Sequence, residues 1–135
     1  MPLPTEGWKG ALRLLAEEAA AAMGSCVESA RVYADALERE QTDSTYIGME
    51  LAVPHARIAG LTRAGLYAAC SGEGIAWPHE KARVIVLLVV PQEMPEWHLQ
   101  LLSRLVRWRR SLEEAALAEP AALAASLSAA FAEAQ

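Results

Sequence analysis

The chain has 135 residues, 53% of them apolar and 21% charged, and a formal net charge of −5 from 12 basic and 17 acidic side chains. That length and composition fit one globular domain over residues 1–135 with a substantial core, and the acidic balance argues against a general nucleic-acid binder. Cys26 and Cys70 lack metal-ligand spacing and read as buried thiols in a reducing compartment. No apolar run reaches the ~18 residues of a membrane span and no secretory leader is legible, so the expectation is a cytoplasmic protein without membrane insertion.

Residues 1–6 carry Pro2 and Pro4 and read as a loose leader. Trp8, Leu12, Leu15, Ala19 and Met23 recur at helical spacing, and Gly24 follows as a C-terminal cap. Ser25 with Glu28 three residues on is a capping-box pattern, which predicts a second helix from near Cys26 to near Glu40. Its expected inward line is Ala30, Ala34 and Leu37. The segment 46–48 is short and ambiguous. Leu51, Ala52 and Val53 read as a strand that stops at Pro54, because proline has no N–H and biases the residue before it toward extended geometry.

Residues 57–63 read as a connector. A strand is predicted over 65–70, a turn over 71–74 and a loop over 75–80. Residues 84–90 (VIVLLVV) are apolar on both parities, the pattern of a strand covered on both faces, and Pro91 ends it. Pro95 fits the first turn of a helix over 97–109, with Leu101, Leu102, Leu105 and Val106 or Trp108 inward. Ala-rich helices over 113–118 and 121–132 close the chain. The order predicts an α/β (α+β) domain with a single mixed β-sheet flanked by helices.

The chemistry concentrates between Glu40 and Arg57, EQTDSTYIGMELAVPHAR. His55 follows Pro54 at the expected mouth of a strand, a place where sites on rigid scaffolds recur. Glu40, Ile47, Gly48, Leu51, Ala52, Val53, Pro54, His55 and Ala56 resemble, at every fixed position, the signature of the enzyme IIA domains of the bacterial sugar phosphotransferase system, fructose/mannitol type. The similarity runs through most of the chain. It implies a phosphotransferase/anion-transport-protein-like fold. Members of that family usually carry an extra strand before the first helix, which residues 1–6 are too short and proline-rich to supply.

A neutral imidazole is a nucleophile near physiological pH. The resemblance implies that His55 is phosphorylated on Nε2; the bland alternative is a surface histidine without a role. His98 is spaced i, i+3, i+4, i+7 with Leu101, Leu102 and Leu105, so it points inward from the first turn of a helix, where anions are favoured. The family's second histidine, beside the phosphorylated one, falls there; the alternative is a satisfied core histidine. Arg39 matches a family arginine that could grip phosphate oxygens in a bidentate fashion, or it is a helix-surface arginine paired with Asp35 or Glu38. Thr45 and Ser44 could donate hydroxyls to a phosphate near His55, or serve the turn. Arg104, Arg107, Arg109 and Arg110 make a basic helix end, read as a solvated face.

By resemblance the chain is a phosphocarrier that takes a phosphoryl group from phospho-HPr and passes it to a cysteine-type enzyme IIB. It would need no cofactor and no metal, since the group moves between protein side chains. The rival reading is a regulatory domain of the nitrogen-related branch, whose His55 phosphorylation state controls a protein partner.

Overall fold

A computed structural model describes residues 7–23, 28–42, 45–59, 61, 65–77, 80–91 and 97–112. The order is α1 (Trp8–Met23), α2 (Ser29–Thr42), β1 (Leu51–Ala52), β2 (His55–Ile58), β3 (Gly65–Trp77), β4 (Glu80–Pro91) and α3 (Trp97–Ser111). The expected Ala-rich helices after residue 112, the proline-rich leader and its edge-strand question, the caps Gly24 and Ser25, and Cys26 all lie outside the described residues. None of the helices described is long and apolar enough to cross a membrane.

β4 is the spine. Every residue from Val84 to Val90 is buried, as its continuous apolar run requires. β3 lies antiparallel along one edge, from Gly65 opposite Val89 to Trp77 opposite Glu80. β1 and β2 both pair parallel with β4, Leu51 opposite Val84 and His55 opposite Leu88, at the same sequence offset of 33. A strand has only two hydrogen-bonding edges, so β1 and β2 are successive pieces of one strand along the edge that β3 leaves. The sheet is mixed, as expected.

Pro54 therefore does not end the strand. It supplies no donor, but its carbonyl accepts the Leu88 N–H at 2.9 Å, and the ladder runs through it into β2. Arg57 and Ile58, expected in a connector, are strand. The expected turn and loop over 71–80 are also largely strand. β3 continues to Trp77 through a register shift between Cys70 and Ile75, where Gly74 takes φ +89° and a Cβ would collide with Lys81.

The faces alternate as a pleat demands. Ile85, Leu87 and Val89 pack with Ala52, Ala56 and Ile58 against Leu12, Leu15 and Ala19 of α1 and Val32 and Ala36 of α2. Val84, Val86, Leu88 and Val90 pack with Leu51, Val53 and Cys70 against Leu105 and Trp108 of α3. Two helices cover one face and α3 the other. The Trp8 and Trp77 rings, 5.6 Å apart, fix the start of α1 on β3.

The inward line of α1 is as its spacing predicts. That of α2 is not. Val32, Ala36 and Glu40 are buried, while Ala30 and Ala34 are exposed and Leu37 is half-buried. Alanine is a weak marker of a face, and the pattern hid that the third inward residue is a glutamate. The helix begins at Ser29, and the Glu28 carbonyl accepts from Arg31 and Val32 at 3.1 Å, three residues beyond the start that the Ser25 box suggested.

Candidate active site

Between the C-terminal half of α2 and β2 lies a cleft of about 430 Å³, lined by Asp35, Glu38, Arg39, Thr42, His55 and Arg57. The helix side follows from spacing, since residues 35, 38, 39 and 42 share one face at i, i+3, i+4 and i+7. The strand side follows from period two, since His55 and Arg57 share a face. Both walls are charged: two carboxylates and two guanidiniums stand around one imidazole.

His55 is 8% exposed, and its Nδ1 atom is sealed from solvent. Instead of sitting in a loop beyond a strand, His55 is the first residue of β2, paired with Leu88 of β4. The Asp35 carboxylate accepts the Arg57 N–H at 2.7 Å. That donor would otherwise be an unpaired strand edge, and the bond ties the middle of α2 to β2.

The other end of the cleft is tied through Glu40. Its carboxylate accepts the Thr45 backbone N–H at 2.7 Å and the Thr45 hydroxyl. The Thr45 carbonyl in turn accepts the Val53 N–H at 3.1 Å, two residues before His55. Between them the chain makes a tight reversal. Tyr46 bridges Ala52, the Leu51 N–H donates to Gly48 at 3.0 Å, and the two central residues, Met49 and Glu50, have φ of 55° and 59°. Left-handed backbone at both centres is the geometry of mirror-image hairpin turns, which ordinarily take Asn-Gly. Glu50 is pinned there. Its N–H donates to the Tyr46 hydroxyl at 3.1 Å, its carbonyl accepts from Arg83 and Val84, and its carboxylate lies 3.5 Å from Arg83.

Of the residues singled out in the sequence, the structure brings Arg39 and His55 together in the cleft. Thr45 is not among the lining residues. It is buried, and both its donors engage Glu40, so its hydroxyl proton is not available to a phosphate; Thr42 lines the cleft, but its hydroxyl donates to the Glu38 carbonyl at 2.9 Å. Ser44 and the His98 side chain lie outside the described residues. The backbone of residue 98 belongs to the first turn of α3, and α3 covers the sheet face of Leu51 and Val53, whose parity His55 shares. Arg57 was missed because residues 57–63 read as a connector; with the strand carried through Pro54, its i+2 spacing from His55 would have found it. Among the described residues no three His, Cys, Asp or Glu gather as a metal set.

Comparisons with known proteins bear on the fold and the family. Over 74 residues the chain is 35% identical to a "PTS system fructose-specific EIIA component" of Haloferax volcanii, a match spanning 53% of this chain and 48%, about half, of that protein. Among solved structures it resembles the nitrogen regulatory protein IIA-Ntr from Neisseria meningitidis, with TM-score 0.68 and 24% identity over 77% of this chain and 72% of that one. IIA mannitol from Escherichia coli gives TM-score 0.62 and 20% identity over 79% and 78% of the two chains. The same enzyme in complex with phosphorylated enzyme IIB mannitol gives 0.69 and 19% over 94% and 88%. These likenesses establish the α/β fold. The family model described as "Phosphoenolpyruvate-dependent sugar phosphotransferase system, EIIA 2" matches residues 3–131, and the chain belongs to that family.

Proposed function

We propose that the chain is a phosphocarrier in which His55 Nε2 takes a phosphoryl group from phospho-HPr and hands it to the cysteine of an enzyme IIB. The observation that carries this reading is the cleft itself. A histidine whose Nδ1 is sealed from solvent lines the cleft together with Arg39 and Arg57. With the ring proton on Nδ1, Nε2 offers a lone pair. The bond between phosphorus and the donor nitrogen breaks as the bond to Nε2 forms. The charge on the transferring group spreads over its three oxygens, which calls for positioned cations more than for covalent help. Arg39 and Arg57 supply two guanidiniums. His98, from the first turn of the helix that covers the His55 face, adds a donor and the positive end of α3.

The regulatory alternative is favoured by the likeness to IIA-Ntr, and one experiment addresses both. The chain, phosphorylated with phosphoenolpyruvate, enzyme I and HPr, is chased with candidate IIB domains and repurified. Loss of the phosphoryl mass from the chain, with gain on a IIB cysteine, is the result expected of a transport carrier. Retention against every IIB, with binding of a protein partner that depends on phosphorylation, would replace that reading by the regulatory one.

A further inference from the structure

Glu40 is oddly placed. It sits in the last turn of α2, where the helix dipole disfavours a carboxylate, and it is 2% exposed, so it has also lost its hydration. Neither helix formation nor core packing asks for an acid there. What the carboxylate does is hold Thr45, by the backbone N–H at 2.7 Å and by the hydroxyl. Thr45 holds Val53 through its carbonyl, and Val53 leads through the stiff Pro54 into His55. On the helix, the residue before Glu40 is Arg39, which faces the cleft.

We propose that Glu40 is a positioning residue: one buried carboxylate that clips the helix wall of the cleft to its strand wall and so sets the spacing between the Arg39 guanidinium and the His55 imidazole. The Asp35 bond to the Arg57 N–H, 2.7 Å long, is the matching tie at the other end. With both in place the two walls are stapled top and bottom, and the cleft keeps one width. Without the Glu40 clip, the 45–53 hairpin remains joined to β4 and packed on the middle of α2, but loses its hydrogen bonds to the last turn of that helix. A displacement of about 1 Å between reacting groups costs up to a hundredfold in rate, so a clip outside the cleft can govern the chemistry inside it.

The clip rests on the phosphocarrier reading for its purpose but is testable apart from it. Three variants are compared, Glu40→Ala, Glu40→Gln and Thr45→Val, with thermal melts as folding control. Two readouts are taken: the rate of single-turnover phosphorylation by phospho-HPr, and the ¹⁵N ring spectrum of His55, which reports its environment and tautomer without any transfer. Glutamine can keep both contacts, its oxygen accepting the Thr45 N–H and its nitrogen donating to the Thr45 hydroxyl oxygen. Glu40→Gln is therefore expected within about threefold of wild type, with the His55 ring signals in place. Glu40→Ala is expected to be roughly ten- to a hundredfold slower, with displaced or broadened ring signals. Thr45→Val, which keeps the backbone contact alone, should fall between.

A folded Glu40→Ala protein with wild-type rate and wild-type ring signals overturns the proposal. So does a Glu40→Gln protein as impaired as the alanine variant, since that would make the charge, not the clip, the active ingredient. If Glu40→Ala does not fold, Thr45→Val decides, and a wild-type result there overturns it. If wild type itself takes no phosphoryl group, the phosphocarrier reading fails while the ring spectra still decide the clip.

Discussion

Replacing Asp35 by asparagine separates two things its carboxylate does. It accepts the Arg57 N–H at 2.7 Å, and it places a negative charge in the cleft that is proposed to receive a phosphoryl group. Asparagine keeps an acceptor oxygen and removes the charge, so the tie between α2 and β2 survives. A phosphoryl group brings nearly two negative charges. A cleft of about 430 Å³ spans roughly 9 Å, and at that separation a dianion and one carboxylate repel by on the order of 1 kcal/mol in a water-like dielectric. Half-buried Asp35 warrants that dielectric and no lower one. In Asp35→Asn the repulsion is gone, and the equilibrium of phosphoryl exchange with HPr should move toward the chain by about fivefold. The assay is the ratio of phosphorylated to free chain at fixed phospho-HPr to HPr ratio, read by intact mass at low salt. Near 1 M salt, where the screening length is about 3 Å, the difference should all but vanish. Asp35→Ala loses the bond as well and should also melt earlier, by about 0.5–1.5 kcal/mol. An Asp35→Asn equilibrium equal to wild type at low salt, or displaced the other way, would refute the placement of the phosphoryl group in this cleft.

His98→Ala should leave His55 labelled but slow its phosphorylation roughly ten- to a hundredfold, because a charge-assisted hydrogen bond is worth about 1.5–3 kcal/mol; stopped-flow transfer with circular dichroism as control checks it, and a wild-type rate would reduce His98 to packing. Ile85, fully buried at the centre of β4, should lose about 2–5 kcal/mol of stability on replacement by alanine, read by urea denaturation. Met49 is exposed, with φ 55°, and asparagine tolerates that backbone better, so Met49→Asn should gain on the order of 1 kcal/mol and raise the melting temperature by a few degrees. A lower melting temperature would mean that Met49 holds the turn by contacts of its own.

The spine of the fold was legible because physics left β4 no alternative. Seven consecutive apolar residues, mostly β-branched and bounded by charge and proline, are too short for a buried helix and fit a strand covered on both sides. α1 was legible for a similar reason, its leucines standing out at helical spacing. α2 was misjudged by rotation, since alanines mark a face weakly and a buried glutamate looks exposed in any polarity pattern. Its burial depends on Thr45, a partner five residues on. Pro54 misled for another reason. Its missing donor ends a strand only if that N–H would have faced a neighbour, and here the bond on β4 is made by its carbonyl. That one error removed Arg57 from the candidate site and put His55 in a loop. Thr45 looked like a phosphate donor, whereas its hydroxyl donates to the buried Glu40. Only His55, which the motif names, and Arg39, which directly precedes its first position, could be placed in the cleft from sequence.

The central claim is that His55 carries the phosphoryl group, and the direct measurement is intact mass after incubation with phosphoenolpyruvate, enzyme I and HPr. Wild type should gain one phosphoryl mass, labile in acid and stable in base, and folded His55→Ala should gain none. Labelling that persists in His55→Ala, or a wild-type protein that stays unlabelled beside a control IIA domain that does not, would contradict it.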